Sequence, residues 1–155
     1  MLRDMGGEAA ATGPELPGPA ARELPPALLL YDGTCGLCAR SVRWILDHER
    51  DHEIWFAPLQ GPTAAHARAA YPGIPHAIDT VVYIAGGRAH LRSQALLHAA
   101  RHLRAPWRWG RALRWIPGAV LDLGYRVIAA VRYRVWGRID ACGVVALAQR
   151  VRFLP

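Results

Sequence analysis

The chain has 155 residues, 52% of them hydrophobic, which is enough for one hydrophobic core but cramped for two independent domains. Its 19 basic residues are all arginine and face 12 acidic ones, giving a net charge of +7. After Leu103 an arginine or aspartate interrupts every apolar run, so the sequence excludes the stretch of about 18 apolar residues that a membrane-spanning helix needs.

Residues 1–26, rich in Gly, Ala and Pro, cannot bury enough surface to offset chain entropy, so we expect a disordered N-terminal extension. This stretch has one early arginine but no apolar core, unlike a secretory signal. Three cysteines without such a signal favour a reducing compartment, and we expect a cytoplasmic protein.

The next segments alternate between strand and helix patterns. Continuous or branched apolar runs predict strands, and apolar residues three or four positions apart predict helices. Gly86 and Gly87 suit the two-residue turn of a hairpin. The predicted elements are, in order, a strand at 27–31, a helix at 38–49, a strand at 53–59, a weak helix at 63–70, a hairpin at 79–91 and a helix at 94–103.

This order predicts an α/β fold: a thioredoxin-like mixed sheet with a βαβ half and a hairpin half, flanked by helices, over residues 27–104. Residues 105–155 would add an Arg-rich helical extension packed on the core. There, Leu123, Val127, Ile128, Val131 and Val135 form an apolar stripe that we expect to cover the sheet domain, and we expect Trp107, Trp109 and Trp115 to pack inward too.

The excess of positive charge lies in this extension. Residues 101–155 contain 11 arginines and two acidic residues, whereas residues 1–100 contain 8 arginines and 10 acidic residues. An anionic partner and a solvated basic face would both explain this bias. We expect no specific nucleic-acid binding and at most peripheral contact with membranes.

The sequence YDGTCGLC places two cysteines three residues apart between a strand and a helix. A cysteine attacks as its thiolate, which the N–H groups and dipole of a helix N-terminus stabilise. Cys35 lies where the helix begins and suits a nucleophile. Cys38, one turn later, could attack a mixed disulfide on Cys35 and release the reduced substrate.

Two other kinds of site compete for this motif. Cys35, Cys38, His48 and His52 have a spacing close to that of a zinc finger, but a continuous helix would separate Cys38 from His48 by about 15 Å. LLLYDGT is similar to the DxDGT motif of haloacid dehalogenases, yet Leu30 stands where the nucleophilic aspartate is needed. We expect no metal and no cofactor.

Four segments together resemble the DCC family of predicted thiol-disulfide oxidoreductases. They are YDGTCGLC, DTVVYI, RSQALLHAARHL and YRVIAAVRYRVWGRIDAC, and the likeness covers about residues 27–143. Members usually read Cys-Pro-Leu-Cys, and Gly36 takes the place of that proline. The resemblance implies a thioredoxin-like fold and exchange of thiols with disulfides.

The candidate catalytic residues are Cys35, Cys38 and Asp32, and no metal ligand is expected. Asp32 could accept the proton of Cys38, or it could simply bind backbone N–H groups in the turn. Gly36 and Leu37 would form the active-site loop together with Asp79 and Thr80, which take the place of a cis-proline loop. The predicted function is that of a protein-disulfide reductase acting on a protein or small-molecule disulfide with an unknown electron donor; the alternative is a non-catalytic zinc-binding or basic-helix binding module.

Overall fold

The computed structural model describes residues 24–76, 80–138 and 151–155. Four strands, four α-helices and two 3₁₀-helices make up the described part of the chain. In order they are β1 (Ala27–Tyr31), α1 (Gly36–His48), β2 (Trp55–Pro58), α2 (Pro62–Ala70), β3 (Val82–Ala85), β4 (Arg88–Leu91), α3 (Arg92–Ala99), the 3₁₀-helices Ala100–His102 and Trp107–Trp115, and α4 (Gly118–Trp136).

The strands form one mixed sheet in the order β2-β1-β3-β4. β1 is parallel to β2 and antiparallel to β3, and β3 continues into β4 as a hairpin. The hairpin turn is at Gly86 and Gly87, whose φ angles of 58° and 72° are ones that glycine adopts without strain. The predicted α/β class, with a mixed sheet, flanking helices and a C-terminal helix, is confirmed.

The central strand β1 divides the core into two layers because its side chains alternate between the faces of the sheet. Leu29 and Tyr31 pack with residues of α1 and α3 on one face. Leu28 and Leu30 pack with alanines of α2 on the other. All five β1 residues are buried, which fixes the end of this strand, and therefore Asp32, with respect to α1.

The helix α4 contacts α1 and α3, but through a different face from the one predicted. Its buried and half-buried side chains include Asp122, Tyr125, Ala129, Arg132 and Tyr133, which recur at intervals of three and four. Most of the predicted stripe is exposed, and the prediction that it covers the core is wrong: Leu123 is 64% exposed, Val127 57%, Val131 38% and Val135 63%, while Ile128, 50% exposed, lies at the edge of the contact face.

Because the stripe is exposed, a charge placed on it should have little effect on the stability of the protein. We expect Val127→Asp to change the free energy of unfolding by less than about 0.5 kcal/mol, because the carboxylate would remain in water. Val42→Asp is the matched control on α1, where the side chain is 1% exposed and an unpaired carboxylate should cost about 3 kcal/mol or more. Urea unfolding compares the two; equal losses would contradict this orientation of α4.

The tryptophans of the extension are also more exposed than predicted. Trp109 and Trp115 are 70% and 83% exposed, so inward packing is wrong for both. Trp107 is half exposed and packs edge-on against Trp44, while its ring also contacts His48. Among the described residues, no helix is both long and apolar enough to cross a membrane.

Residues 153–154 lie beside β2. Phe153 pairs with Phe56 in a parallel bridge and stacks on its ring. Arg152 donates to the buried carboxylate of Glu49 at 2.6 Å, and Glu49 in turn accepts the N–H of Ile54. The C-terminal residues thus join the end of α1 to the edge strand.

Candidate active site

Cys35 is the N-cap of α1. The chain leaves β1 at Tyr31, turns at Asp32 and Gly33, and enters the helix at Gly36. The turn is closed by a hydrogen bond from the Cys35 N–H to the Asp32 carbonyl, and the Cys35 Sγ accepts the Cys38 N–H at 3.4 Å. This sulfur therefore lies at the positive end of the helix, where negative charge is stabilised.

Cys38 lies one turn further along and is also buried. Burial, and next the neighbouring Cys35, raise the pKa of its thiol to about 12, although the charge of Arg132 acts in the opposite direction. Cys38 is therefore a neutral thiol at physiological pH. Both cysteines are free thiols in this structure.

One carboxylate oxygen of Asp32 organises the turn. Oδ1 accepts the N–H and the hydroxyl of Thr34, both at 2.9 Å, and the amide of Gln60 at 2.8 Å. Gln60 also accepts the N–H of Gly33 through its side-chain oxygen. These bonds agree with the interpretation that Asp32 binds N–H groups of the turn. Gln60, from the loop after β2, is a second residue that stabilises the turn.

The other carboxylate oxygen of Asp32 faces α4. Oδ2 accepts the hydroxyl of Tyr133 and an N–H of Arg132, at 3.4 Å for the arginine, and Arg132 also donates to the Tyr133 hydroxyl at 3.0 Å. Both ions of the pair are buried. Burial alone would raise the pKa of Asp32, but hydrogen bonds from Tyr133, Thr34 and Gln60 outweigh this effect and lower it. Asp32 is therefore a carboxylate at neutral pH.

Arg132 and Tyr133 were not among the predicted site residues. They belong to the YRVIAAVRYRVWGRIDAC segment that carries the family resemblance, which is the signal that could have marked them. A buried arginine needs an anionic partner, and the aspartate next to the two cysteines is that partner.

The C-terminal end of α4 covers the first cysteine. The Gly36 N–H donates to the Gly137 carbonyl at 3.2 Å, and Cys35 pairs with Arg138 in an isolated antiparallel bridge. A Cβ on Gly36 would clash with the Trp136 carbonyl oxygen, so only glycine fits this contact. Cys35 is consequently 0% exposed.

The predicted loop residues are in different places. Leu37 is half buried and lines a cavity that also contains Cys38, and Val81 lies on the same cavity. Thr80 is buried beside Val81 but lines a separate cleft with Tyr125. Asp79 lies outside the described residues, as does Cys142, the third cysteine of the chain.

The residues of the zinc alternative do not converge. α1 runs without a break from Gly36 to His48, so Cys38 and His48 are about 15 Å apart along its axis. Among the described residues, Asp51, Glu53 and His102 bring ligand-type atoms together, at the other end of α1. The His102 ring bonds the Tyr83 hydroxyl at 2.8 Å and the Asp51 carboxylate at 3.0 Å, which links β3 and the loop after α1 to the 3₁₀-helix after α3.

Comparison with known proteins shows to which family the chain belongs. The family model of DCC1-like thiol-disulfide oxidoreductases matches residues 29–138, from β1 to the bridge at Arg138. The chain belongs to this family. The matched region of the DCC1-like chain includes both cysteines, Asp32, Arg132 and Tyr133.

Two relatives align with most of this DCC1-like chain. The chain is similar to the uncharacterized protein YuxK of Bacillus subtilis, with 33% identity over 136 residues, covering 87% of the chain and 98% of that protein. It is also similar to the DCC family protein At1g52590, chloroplastic, of Arabidopsis thaliana, with 30% identity over 116 residues, 74% of the chain and 67% of that protein. No solved structure matches.

Proposed function

We propose that the protein reduces disulfides by thiol–disulfide exchange, with Cys35 as the nucleophile and Cys38 as the resolving thiol. The observation that carries the proposal is the difference between the two sulfurs. Cys35 Sγ accepts a backbone N–H at the start of α1, whereas the pKa of Cys38 is raised to about 12. The helix start favours attack by Cys35, and Cys38 stays protonated until it is needed.

The exchange takes place in two steps. The Cys35 thiolate attacks one substrate sulfur, the substrate S–S bond breaks, and the other half leaves as a thiolate that takes a proton from water. Cys38 then loses its proton, its sulfur attacks Cys35, and the second half leaves as a thiolate that takes up a proton. Two electrons pass to the substrate, the protein becomes the Cys35–Cys38 disulfide, and a thiol or dithiol donor reduces it again.

Arg132 is the group that assists the second step. Its positive charge lowers the pKa of Cys38, while the negative charge of Asp32 raises it. Because the pKa of Asp32 is itself lowered, this carboxylate is a weak proton acceptor. We therefore assign Asp32 the role of holding Arg132 and Tyr133 over the cysteines, and water the role of accepting the Cys38 proton.

Trapping of a mixed disulfide tests the proposal. In a Cys142→Ser background, we expect Cys38→Ser to accumulate a covalent adduct with a small aromatic disulfide at Cys35, because the resolving thiol is absent. Cys35→Ser should form no such adduct. Intact mass and peptide mapping show which cysteine is modified.

The Cys142→Ser protein with both site cysteines is the matched control and should turn the substrate over with a thiol donor. Equal reduction of the disulfide by all three proteins would contradict the proposal and favour a non-catalytic binding module. Adduct formation at Cys38 in the Cys35→Ser protein, at a rate equal to that of Cys35, would contradict the assigned roles.

A further inference from the structure

An apolar cavity of about 240 Å³ lies next to Cys38. One wall is α1 and β1, and the other is α3, α4 and the residue that precedes β3. Its lining is almost entirely hydrocarbon and aromatic, with Arg132 as the charged member. Leu37, Cys38, Ser41, Val81, Ala129 and Arg132 are among the residues that line it.

The helix α4 forms one wall of this cavity. Its Tyr125 hydroxyl accepts the Val81 N–H at 2.9 Å, which fixes the outer wall to the start of β3. An apolar cavity of only about 150 Å³ is already large enough to bind a benzene-sized ligand. A space of about 240 Å³ can therefore hold a leucine- or phenylalanine-sized group without rearrangement of the wall.

The charge of Arg132 does not make this a site for anions. Its guanidinium is directed to the Asp32 carboxylate and the Tyr133 hydroxyl. The rest of the wall offers hydrocarbon and aromatic rings, so a charged group placed here would lose its hydration with little compensation. The cavity thus favours a neutral apolar group over a charged one.

We infer that this cavity binds an apolar side chain next to the disulfide of the substrate, so that the protein prefers disulfides with a bulky apolar neighbour. This inference rests on the proposed function. In the mixed disulfide, the substrate sulfur is bonded to Cys35 and must lie next to Cys38, which forms part of the cavity wall. The apolar neighbour of the substrate sulfur enters the cavity. This holds the disulfide between Cys35 and the substrate where Cys38 can attack it, which is the second step of the exchange.

The test uses two matched disulfides, the oxidised dimers of acetyl-Phe-Cys-amide and acetyl-Ser-Cys-amide, with dithiothreitol as donor. We expect kcat/KM for the Phe compound to be at least about tenfold higher than for the Ser compound, the usual benefit of an apolar group in a fitting pocket. Ala129→Leu, which fills the cavity from α4, should bring the ratio close to one. Ala130→Leu, on the exposed side of the same helix, should keep the ratio.

If Ala129→Leu does not fold, Ser41→Leu, on the α1 side of the cavity, makes the same test, and thermal melts decide which variant is used. A wild-type ratio near one, or a ratio that both filled variants retain, would overturn the inference while leaving the exchange reaction intact.

Binding without chemistry separates this inference from the proposed function. In the Cys35→Ser protein, acetyl-Phe-Ser-amide should shift the NMR amide signals of Leu37 and Ala129, and acetyl-Ser-Ser-amide should not. If wild type reduces neither disulfide, the proposed exchange fails, and these shifts alone decide the cavity: their presence supports it and their absence overturns it.

Discussion

Arg132→Met is expected to lower the free energy of unfolding by about 3 kcal/mol, because it leaves a buried carboxylate without its counter-ion. Arg132 and Asp32 are both buried, and Nη2 of Arg132 lies 3.4 Å from Oδ2 of Asp32. The pair joins α4 to the turn that precedes the cysteines. Tyr133, Thr34 and Gln60 still bind the carboxylate in the variant, so the loss should lie at the low end for a broken buried pair. Urea unfolding at neutral pH measures it.

The matched control is Arg134→Met, two residues away on the same helix and exposed, which should cost less than about 0.5 kcal/mol. A double-mutant cycle with Asp32→Asn isolates the pair, since the neutral amide removes the charge that Arg132 balances. The double variant should lose less than the sum of the two single losses. Equal costs for Arg132→Met and Arg134→Met would contradict the buried pair.

The same network predicts how stability depends on pH. The folded pKa of Asp32 is lowered, so the stability that its carboxylate contributes is present above its unfolded pKa of about 3.9 and is lost as the pH falls through the folded pKa. Asp32→Asn should therefore flatten the acid limb of a plot of unfolding free energy against pH. The wild-type and Asp32→Asn curves should differ most above about pH 5 and converge in acid.

Removal of Arg132 should also change the chemistry. Its charge lowers the pKa of Cys38, so Arg132→Met should raise that pKa and make loss of the Cys38 proton harder. Resolution of the mixed disulfide should slow by about tenfold, because a smaller fraction of Cys38 is then thiolate. Quenched-flow mass analysis should then show accumulation of the Cys35 adduct, which Arg134→Met should not produce.

The local features of this fold could be predicted because they depend on neighbouring residues. β1 is a continuous apolar run, α1 has helical spacing, and Gly86 and Gly87 meet the need of the hairpin for positive φ. The position of Cys35 at the start of α1 follows from the same short-range pattern. These elements also explain why the turn at Asp32 could be singled out.

The orientation of α4 could not be predicted in the same way. Its valine and leucine stripe is the more hydrophobic face, and burial of that face would be the usual choice. The structure instead buries Arg132, which forms an ion pair with Asp32, 100 positions away in sequence. Pairing at such a distance leaves no periodic signal, so hydrophobicity alone selects the wrong face.

Gly36→Pro would restore the residue that the resemblance places between the cysteines, yet it is expected to destabilise this chain. Proline suits the first position of a helix, where its missing N–H is not needed by the helix itself. Here that N–H donates to the Gly137 carbonyl, and a Cβ would clash with the Trp136 carbonyl oxygen. We expect a loss of about 1–3 kcal/mol, the usual cost of forcing extra atoms into a packed contact.

The same substitution should expose the nucleophile. Residues 136–138 cover Cys35, which is 0% exposed, and attack on a disulfide requires its sulfur to be reached. Because the clash is with backbone atoms, the end of α4 must shift, so alkylation of Cys35 by iodoacetamide should be faster in Gly36→Pro and in Gly36→Ala. Gly73→Ala is the matched control, since a Cβ there meets nothing within 4 Å and the rate should not change. Unchanged stability and unchanged alkylation of both Gly36 variants would show that the end of α4 does not cover Cys35 in solution.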